Sequence, residues 1–228
     1  MISTSTTETI PFTPEWLRDR PNPPVFHLRA GGVIERGRME AELAGEHDAG
    51  RVYSFELHQA AVAGVSVLLE GDPGLDEVLG AIEAETQIKD PTTDKLPDEQ
   101  VRLLVDVRKV LVAHWPDYRD LVARRARRGE IAPVVALKRF CAGWDSVTGE
   151  DGKPVPFARG RDGMVTEAAL SRLQSIELLS AGNRAYALQF STGEEGNSER
   201  PVSSETGPQT SASDDTSTAD GSSPESVG

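Results

Sequence analysis

The 228-residue sequence has one cysteine and no long apolar run. A single thiol, Cys141, excludes an intramolecular disulfide framework and any metal site built from several cysteines, and it fits a reducing compartment. No apolar run approaches the roughly 18 residues that span a membrane. The polar start, residues 1–9, lacks the basic and apolar regions of a secretory signal. We therefore expect neither a membrane span nor export.

Recognisable catalytic and cofactor motifs are also missing from the sequence. The four histidines form no HExxH motif and no pair four residues apart on one helix, so a zinc hydrolase site has no support. The glycines of AGGVIERG miss the G-x-G-x-x-G spacing of a dinucleotide site. The acidic stretch DSVTGEDGKP lacks the ligand positions of a calcium loop. We expect no enzyme, no cofactor and no metal, and we interpret Cys141 as a small apolar residue of a core helix.

Basic charge is scarce, since 24 Lys and Arg face 37 Asp and Glu and give a net charge of −13. Residues 191–228 carry −7 of that charge and the remaining 190 residues carry −6. An acidic chain is a poor general binder of nucleic acid, because phosphates repel it. The segment 191–228 is rich in Ser, Thr, Gly and Pro and has no aromatic residue, which predicts a disordered tail. It is either a solvated terminus or an acidic segment that solubilises the protein or meets a partner.

The rest of the chain predicts one mostly α-helical domain, residues 24–190, with a short N-terminal β element. An arm, residues 1–23, precedes it and is predicted to be irregular because of its four prolines and of Pro24 directly after them. A polar loop at residues 90–97 marks a possible sub-boundary. Alternation in PVFHLRA predicts a short strand, and Met39 and Leu43 support a helix over residues 33–44.

Several later helices follow from apolar periodicity and from capping residues. Helices are predicted at residues 51–70, from Asp72 onward, and over residues 101–114, where the apolar stripe is too wide for a surface helix and predicts a central one. Trp115–Pro116 ends that helix and starts the next, and residues 131–141 are predicted as a separate helix. Residues 143–163 read as a long loop, after which Thr166 and Ser175 are predicted to cap the last two helices.

One stretch of the chain, residues 119–139, concentrates basic side chains. Its members are Arg119, Arg124, Arg125, Arg127, Arg128, Lys138 and Arg139. The favoured interpretation is a charged face that pairs with neighbouring acids such as Asp117, Asp120 and Glu130. The alternative is a binding face for nucleic acid or for an acidic protein, although no stacking aromatics are interleaved there.

The order of these features resembles a known family. PVFHLRAGGVIERGRMEAELAG, with its V-F-x-L-R strand and E-R-x-x-x-E-A-E-L helix start, followed by VYSFELHQAAVAGV, is similar to the start of tail assembly chaperones of long-tailed phages, prophages and gene transfer particles. FCAGWDSVTGEDGKPVPFARGRDGMVTEAALSRLQSIELLSAGNRAYAL resembles their C-terminal half, where GW and PF precede a T-E-x-A-L helix. The similarity covers about residues 24–188.

This resemblance implies a non-enzymatic assembly factor in the bacterial host cytoplasm. Such proteins bind and solubilise the tape-measure protein before tail-tube subunits polymerise around it, so the implied partners are the tape-measure protein and the tail-tube protein, and self-association stays open. Large aromatics in irregular segments can anchor a partner, and core lids explain them equally well. The candidates are Phe12, Trp16, Trp144 and Phe157. Two alternatives remain: a structural tail component that acts as an adaptor or completion protein, and a small nucleic-acid-associated regulator that uses residues 119–139.

Overall fold

A computed structural model describes residues 6–88, 90 and 94–190 of the chain. The predicted acidic tail, residues 191–228, lies outside these residues, as does part of the predicted sub-boundary at 90–97. The mostly helical fold with a short β element is confirmed. In chain order the elements are β1 (Thr9–Phe12), a 3-10 turn (Glu15–Leu17), β2 (Val25–Arg29), α1 (Val33–Gly45), α2 (Ser54–Leu68), α3 (Leu75–Thr86), α4 (Asp98–His114), α5 (Pro116–Phe140), β3 (Cys141–Asp145), α6 (Glu167–Leu170) and α7 (Ser175–Ala187).

The three strands form an antiparallel sheet with the order β1-β2-β3. Its central strand β2 is the strand that PVFHLRA predicts. The prediction of an irregular arm over residues 1–23 is wrong, because the arm contains β1, which pairs Phe12 with Phe26. Pro11 is tolerated there because β1 is an edge strand, whose outer N–H groups need no partner strand. The predicted loop at 143–163 is also partly wrong, since its first residues belong to β3.

The turn between β2 and α1 is tied to the C-terminal end of α7. Gly31 donates its N–H to Gln189 Oε1 at 2.7 Å, and Gln189 Nε2 donates to the Ala185 carbonyl at 2.7 Å. A Cβ at Gly31 would lie 2.3 Å from the Phe140 ring, so only glycine fits this approach. The helix predicted over 33–44 is confirmed as α1, and Met39 and Leu43 are buried as expected.

The buried apolar side chains form two clusters. The first, here called the sheet core, is built from the sheet, α1, the C-terminal half of α5, α6, α7 and the segments between β3 and α7. The second, here called the helical lobe, is built from α2, α3, α4 and the N-terminal part of α5. The possible sub-boundary at 90–97 is therefore wrong, because α3 and α4 on either side of it pack against each other in the helical lobe.

Helix α5 joins the two clusters as one continuous helix of 25 residues. The boundary at Trp115–Pro116 is confirmed, with Pro116 as the first residue of α5. The separate helix at 131–141 is wrong, because α5 continues through Pro133 and ends at Phe140. Pro133 packs against α7, where its carbonyl oxygen would lie 2.4 Å from a Cβ at Gly182. This close approach makes α5 and α7 the most extensive contact between described elements.

Two further predictions concern the residues that cap the last two helices. Thr166 caps α6 as predicted, since its Oγ1 accepts from the Ala169 N–H at 3.3 Å. Ser175 does not cap α7: it is the first helical residue, and the cap position is Gln174.

The prediction that α4 is a central helix is wrong. Leu104 and Leu111 are its buried residues, because α2, α3 and α5 cover one side of it only. Four of its valines are exposed: Val101, Val105, Val110 and Val112. Within the described residues no helix has the length and apolar character to cross a membrane.

Candidate partner-binding surface

The four aromatic residues predicted to bind a partner occupy different environments. Trp144 is 7% exposed, and its indole N–H donates to the Val155 carbonyl at 2.7 Å. Its ring meets Phe26 edge-on at 6.1 Å and Phe157 edge-on at 4.8 Å between ring centroids. Trp144 is therefore a core residue, because β3 directs its side chain into the sheet core. This burial favours the core-lid interpretation, and contact of Trp144 with a partner stays a prediction.

Phe12 and Phe157 are half-buried and pack against the sheet core. Trp16 differs from them, since it is 53% exposed on the 3-10 turn. The turn is anchored by its neighbours Pro14 and Leu17, which are buried. Of the four candidates, Trp16 is the one that presents its ring to solvent. Phe12, Trp144 and Phe157 come together in the sheet core, since Phe12 pairs with Phe26, Phe26 pairs with Trp144, and Trp144 contacts Phe157.

A different exposed apolar surface lies on α2. We define the α2 outer face by Phe55, Gln59, Ala63, Ser66 and Val67, all of which are exposed. Residues 59–69 contain no ionisable side chain. The opposite side of α2, with Ala61, Gly64 and Val65, is buried against the helical lobe. An outer helix face is ordinarily charged, so an uncharged one is unusual.

An aromatic pair marks the N-terminal end of this face. The rings of Tyr53 and Phe55 stack with centroids 5.6 Å apart at 18°, and they are 53% and 59% exposed. Tyr53 is held by its backbone N–H, which donates to Glu56 Oε2 at 2.7 Å. Large, rigid aromatics at an exposed position are typical anchors of protein interfaces.

Sequence reasoning missed the α2 outer face because it treated every helical apolar stripe as buried. The signal was present in the charge pattern. Between Arg51 and Lys89 the chain has seven carboxylates and neither Lys nor Arg. Apolar residues lie on all sides of α2, and this run has no basic residues. One side of α2 is therefore exposed without charged side chains on it.

The basic stretch at residues 119–139 pairs with acids, as the favoured interpretation expects. Most of these acids come from α1 and the turn after it. Arg128 contacts Glu40 at 2.7 Å and the Tyr186 hydroxyl at 2.8 Å, and it donates to the Ala49 carbonyl. The other pairs are Arg124 and Arg127 with Asp48, Arg139 with Glu42, and Lys138 with Glu42 and Glu167.

Of the acids that the sequence predicts as partners of this stretch, Asp120 lies 3.7 Å from Arg119. Arg119 and Arg125 remain exposed. The guanidinium groups of this stretch mostly bind α1 to α5, and this use leaves fewer of them for a phosphate backbone.

One group of side chains has ligand atoms close enough for a metal ion. Glu42, Glu46 and His47 each place a ligand atom within 4.8 Å of the others. However, Arg139 Nε donates to Glu42 Oε2 at 2.6 Å, and Lys138 Nζ lies 3.7 Å from Glu42 Oε1. These two cations already balance the buried carboxylate and would repel a divalent ion.

Two buried titratable groups show what the interior does to charge. Burial raises the pKa of the Cys141 thiol to about 11, which agrees with the interpretation of this residue as a small apolar one, although it lies at the start of β3 and not on a helix. Burial also raises the pKa of the Glu177 carboxyl, and the charge of Arg20 opposes this shift. Glu177 Oε2 has no hydrogen-bond partner among the described residues.

Comparison of the chain with known protein families, with curated proteins and with solved structures finds no match.

Proposed function

We propose that this protein is a tail assembly chaperone, which binds a tape-measure protein and keeps it soluble during assembly of a phage-like tail. The proposal starts from the sequence resemblance over about residues 24–188. The observation that carries it is the amount of exposed apolar surface on a folded body: the α2 outer face, the α4 valines and Trp16 are all open to solvent. A contiguous exposed apolar patch on a folded domain is typical of an interaction site.

The proposed mechanism uses the folded body and the acidic tail. The sheet core folds the body, while exposed apolar side chains cover apolar residues of the partner and hide them from other copies of the partner. The acidic tail adds negative charge to the complex, and like charge keeps complexes apart. No chemical step is required, so we propose that the protein is not an enzyme.

Co-expression with a phage tape-measure protein is the test of this function. We expect the partner to move from the insoluble to the soluble fraction, and Trp16→Ala to reduce this transfer while the protein stays folded. Removal of residues 191–228 should lower the solubility of the complex more than the affinity. A partner that stays insoluble with this protein in excess contradicts the proposal.

The structural-component alternative has the same composition but a different fate. A chaperone leaves the particle, whereas an adaptor or completion protein stays in it. Mass spectrometry of purified particles separates the two: stoichiometric amounts of this chain in finished particles would favour the structural component.

A further inference from the structure

The strongest charge asymmetry of the described chain coincides with its most apolar exposed helix. Residues 52–88, which include α2 and α3, contain seven carboxylates and no Lys or Arg, so they carry −7 with histidine neutral. Residues 1–190 as a whole carry −6. The remainder of the body is therefore close to neutral, and the acidic character of the body belongs to these two packed helices.

Few of these carboxylates are paired within the described chain. Glu85 binds Arg108 of α4, and Glu83 lies 3.9 Å from His58. At the two ends of the α2 outer face, Glu56 accepts the Tyr53 N–H and Asp72 accepts the Gly74 N–H at 2.7 Å. These bonds fix the carboxylates in place and leave their charge without a cation. The α2 outer face is thus an uncharged apolar strip with fixed negative charge at its ends.

We infer that the α2 outer face is the docking surface for an amphipathic helix of the partner protein whose apolar stripe is flanked by Lys or Arg. The apolar stripe covers Phe55, Ala63 and Val67, with the stacked Tyr53 at one end, and the basic flanks meet the carboxylates of α2 and α3. Apolar contact provides affinity, and complementary charge selects the partner and speeds encounter. This inference rests on the proposed function, because it takes the exposed apolar surface to serve a partner chain.

Size and charge both argue against a second copy of this chain as the occupant. The 13 residues from Phe55 to Val67 form a face about 18 Å long, and one such face falls well short of the about 800 Å² per partner that a stable interface buries. A second copy would also bring the same seven carboxylates and a net charge of −13 to the contact. A single basic helix fits both the length and the sign of the surface.

The α4 valines are a weaker candidate for the same role. Val101 and Val105 are exposed to a similar degree, but charged side chains lie beside them on the same helix. Asp106 pairs with Lys109 at 2.9 Å, and Arg108 pairs with Glu85. The α4 surface is therefore mixed in sign and interrupted by ion pairs, and it provides a matched control.

The test uses the full chain and a synthetic helix of about 18 residues, or five turns, with leucine on one face and lysine on the other. We expect the double variant Phe55→Ser/Val67→Ser to weaken binding of this Leu/Lys peptide at least about tenfold. The matched double variant Val101→Ser/Val105→Ser should change it less than about twofold. Both variants keep the acidic tail, so attraction of lysine to the tail cannot cause a difference between them.

A second peptide, with glutamate in place of lysine, tests the charge requirement. It should bind the wild-type chain at least about tenfold more weakly than the Leu/Lys peptide, and added salt should reduce this difference. Equal binding of the two peptides, equal effects of the two double variants, or no binding of the Leu/Lys peptide overturns the inference. A dimer of the free chain that Phe55→Ser/Val67→Ser dissociates also overturns it, in favour of self-association.

Amide exchange on the wild-type chain keeps the test valid if a variant fails to fold. The Leu/Lys peptide should slow exchange in α2 and leave α7 unchanged, and protection of other elements without protection of α2 contradicts the inference.

The two proposals can fail separately. If the tape-measure protein stays insoluble while the peptide binds α2, the proposed function fails and this surface stands. If wild type and Phe55→Ser/Val67→Ser solubilise that protein equally, the surface fails and the function stands.

Discussion

The sheet core and the helical lobe bury their apolar side chains to different extents. Among the described residues the sheet core has 21 buried apolar residues and the helical lobe has 8. The lobe has many apolar side chains, but a large share of them lies on the outer sides of α2 and α4. The same residue types thus serve stability in one region and remain open to solvent in the other. The difference suggests a division of labour, with folding in the sheet core and binding in the lobe.

The largest difference in stability is expected between the loss of a buried tryptophan and the loss of an exposed one. Trp144→Ala leaves a cavity between Phe26 and Phe157 and removes the hydrogen bond to Val155, so we expect a loss of about 3–5 kcal/mol in the free energy of unfolding. Trp16→Ala should change it by less than about 0.5 kcal/mol, since its ring is largely exposed. Chemical denaturation measures both, and similar losses would show that the turn at Trp16 belongs to the core.

Ion pairs allow the same comparison between the regions. In the sheet core, Arg139 binds Glu42, whose side chain is 6% exposed, whereas in the lobe the side chains of Arg108 and Glu85 are 46% and 40% exposed. Arg139→Met should lower the free energy of unfolding by about 2–3 kcal/mol, because Glu42 stays buried and loses its closest cation, while Lys138 at 3.7 Å and His47 at 3.9 Å remain beside it. Arg108→Met should cost less than about 1 kcal/mol. Denaturation in low and high salt is the measurement, and an equal cost for both variants contradicts the expectation.

Glycines at helix contacts extend the comparison to backbone packing. Gly182→Ala places a Cβ 2.4 Å from the Pro133 carbonyl oxygen, which is backbone and cannot move aside, so we expect a loss of about 1–3 kcal/mol or more. Gly64→Ala in α2 meets side-chain atoms of Leu111 and Trp115 and no backbone atom among its nearest contacts, so it should cost less. Thermal unfolding ranks the two variants.

The helical glycines Gly37 and Gly80 are the controls, one in each region. Neither has an atom within 4 Å of its added Cβ. Each change to alanine should therefore raise the free energy of unfolding by up to about 1 kcal/mol through helix propensity. A smaller loss for Gly182→Ala than for Gly64→Ala would reverse the proposed order of the regions.

The smallest expected effect on stability comes from the buried carboxyl of Glu177, whose Oε2 has no hydrogen-bond partner among the described residues. Burial raises the pKa of Glu177 above its ordinary value of 4.5, so the folded protein holds this proton to higher pH than the unfolded chain does. The contribution of Glu177 to stability is therefore complete below pH 4.5 and is lost as pH rises through the raised pKa. Glu177→Gln should remove this decline. Melting temperatures across the same pH range test it, and an unchanged pH dependence contradicts it.

The local features of the fold follow from the sequence, and the burial of its helices does not. The strand at PVFHLRA, the helix start at Pro116 and the cap at Thr166 depend on neighbouring residues, so a local pattern predicts them. The exposed valines of α4 depend on which of its sides α2, α3 and α5 cover, and apolar residues around the whole helix do not indicate a side. The strand in the N-terminal arm depends on pairing with β2, which local proline content obscures.

The candidate site shows the same limit. Aromatic residues in segments predicted to be irregular are good candidates for a partner, but Trp144 and Phe157 prove to pack on one another because β3 and the segment after it fold over the sheet core. The α2 outer face required the opposite inference, namely that an apolar helix stays uncovered. Its lack of Lys and Arg was visible in the sequence, and only the packing of α2 shows which residues this leaves exposed.

Native-state amide exchange of the free, full-length protein tests the division of labour most directly. We predict that the slowest amides lie in β2, α1, the C-terminal half of α5 and α7, and that those of α2, α3 and α4 exchange at lower opening free energies. This order means that the sheet core holds the fold together while the lobe can adjust to a partner. Equal protection in both regions, or slower exchange in α2 and α4 than in the sheet core, would contradict the account.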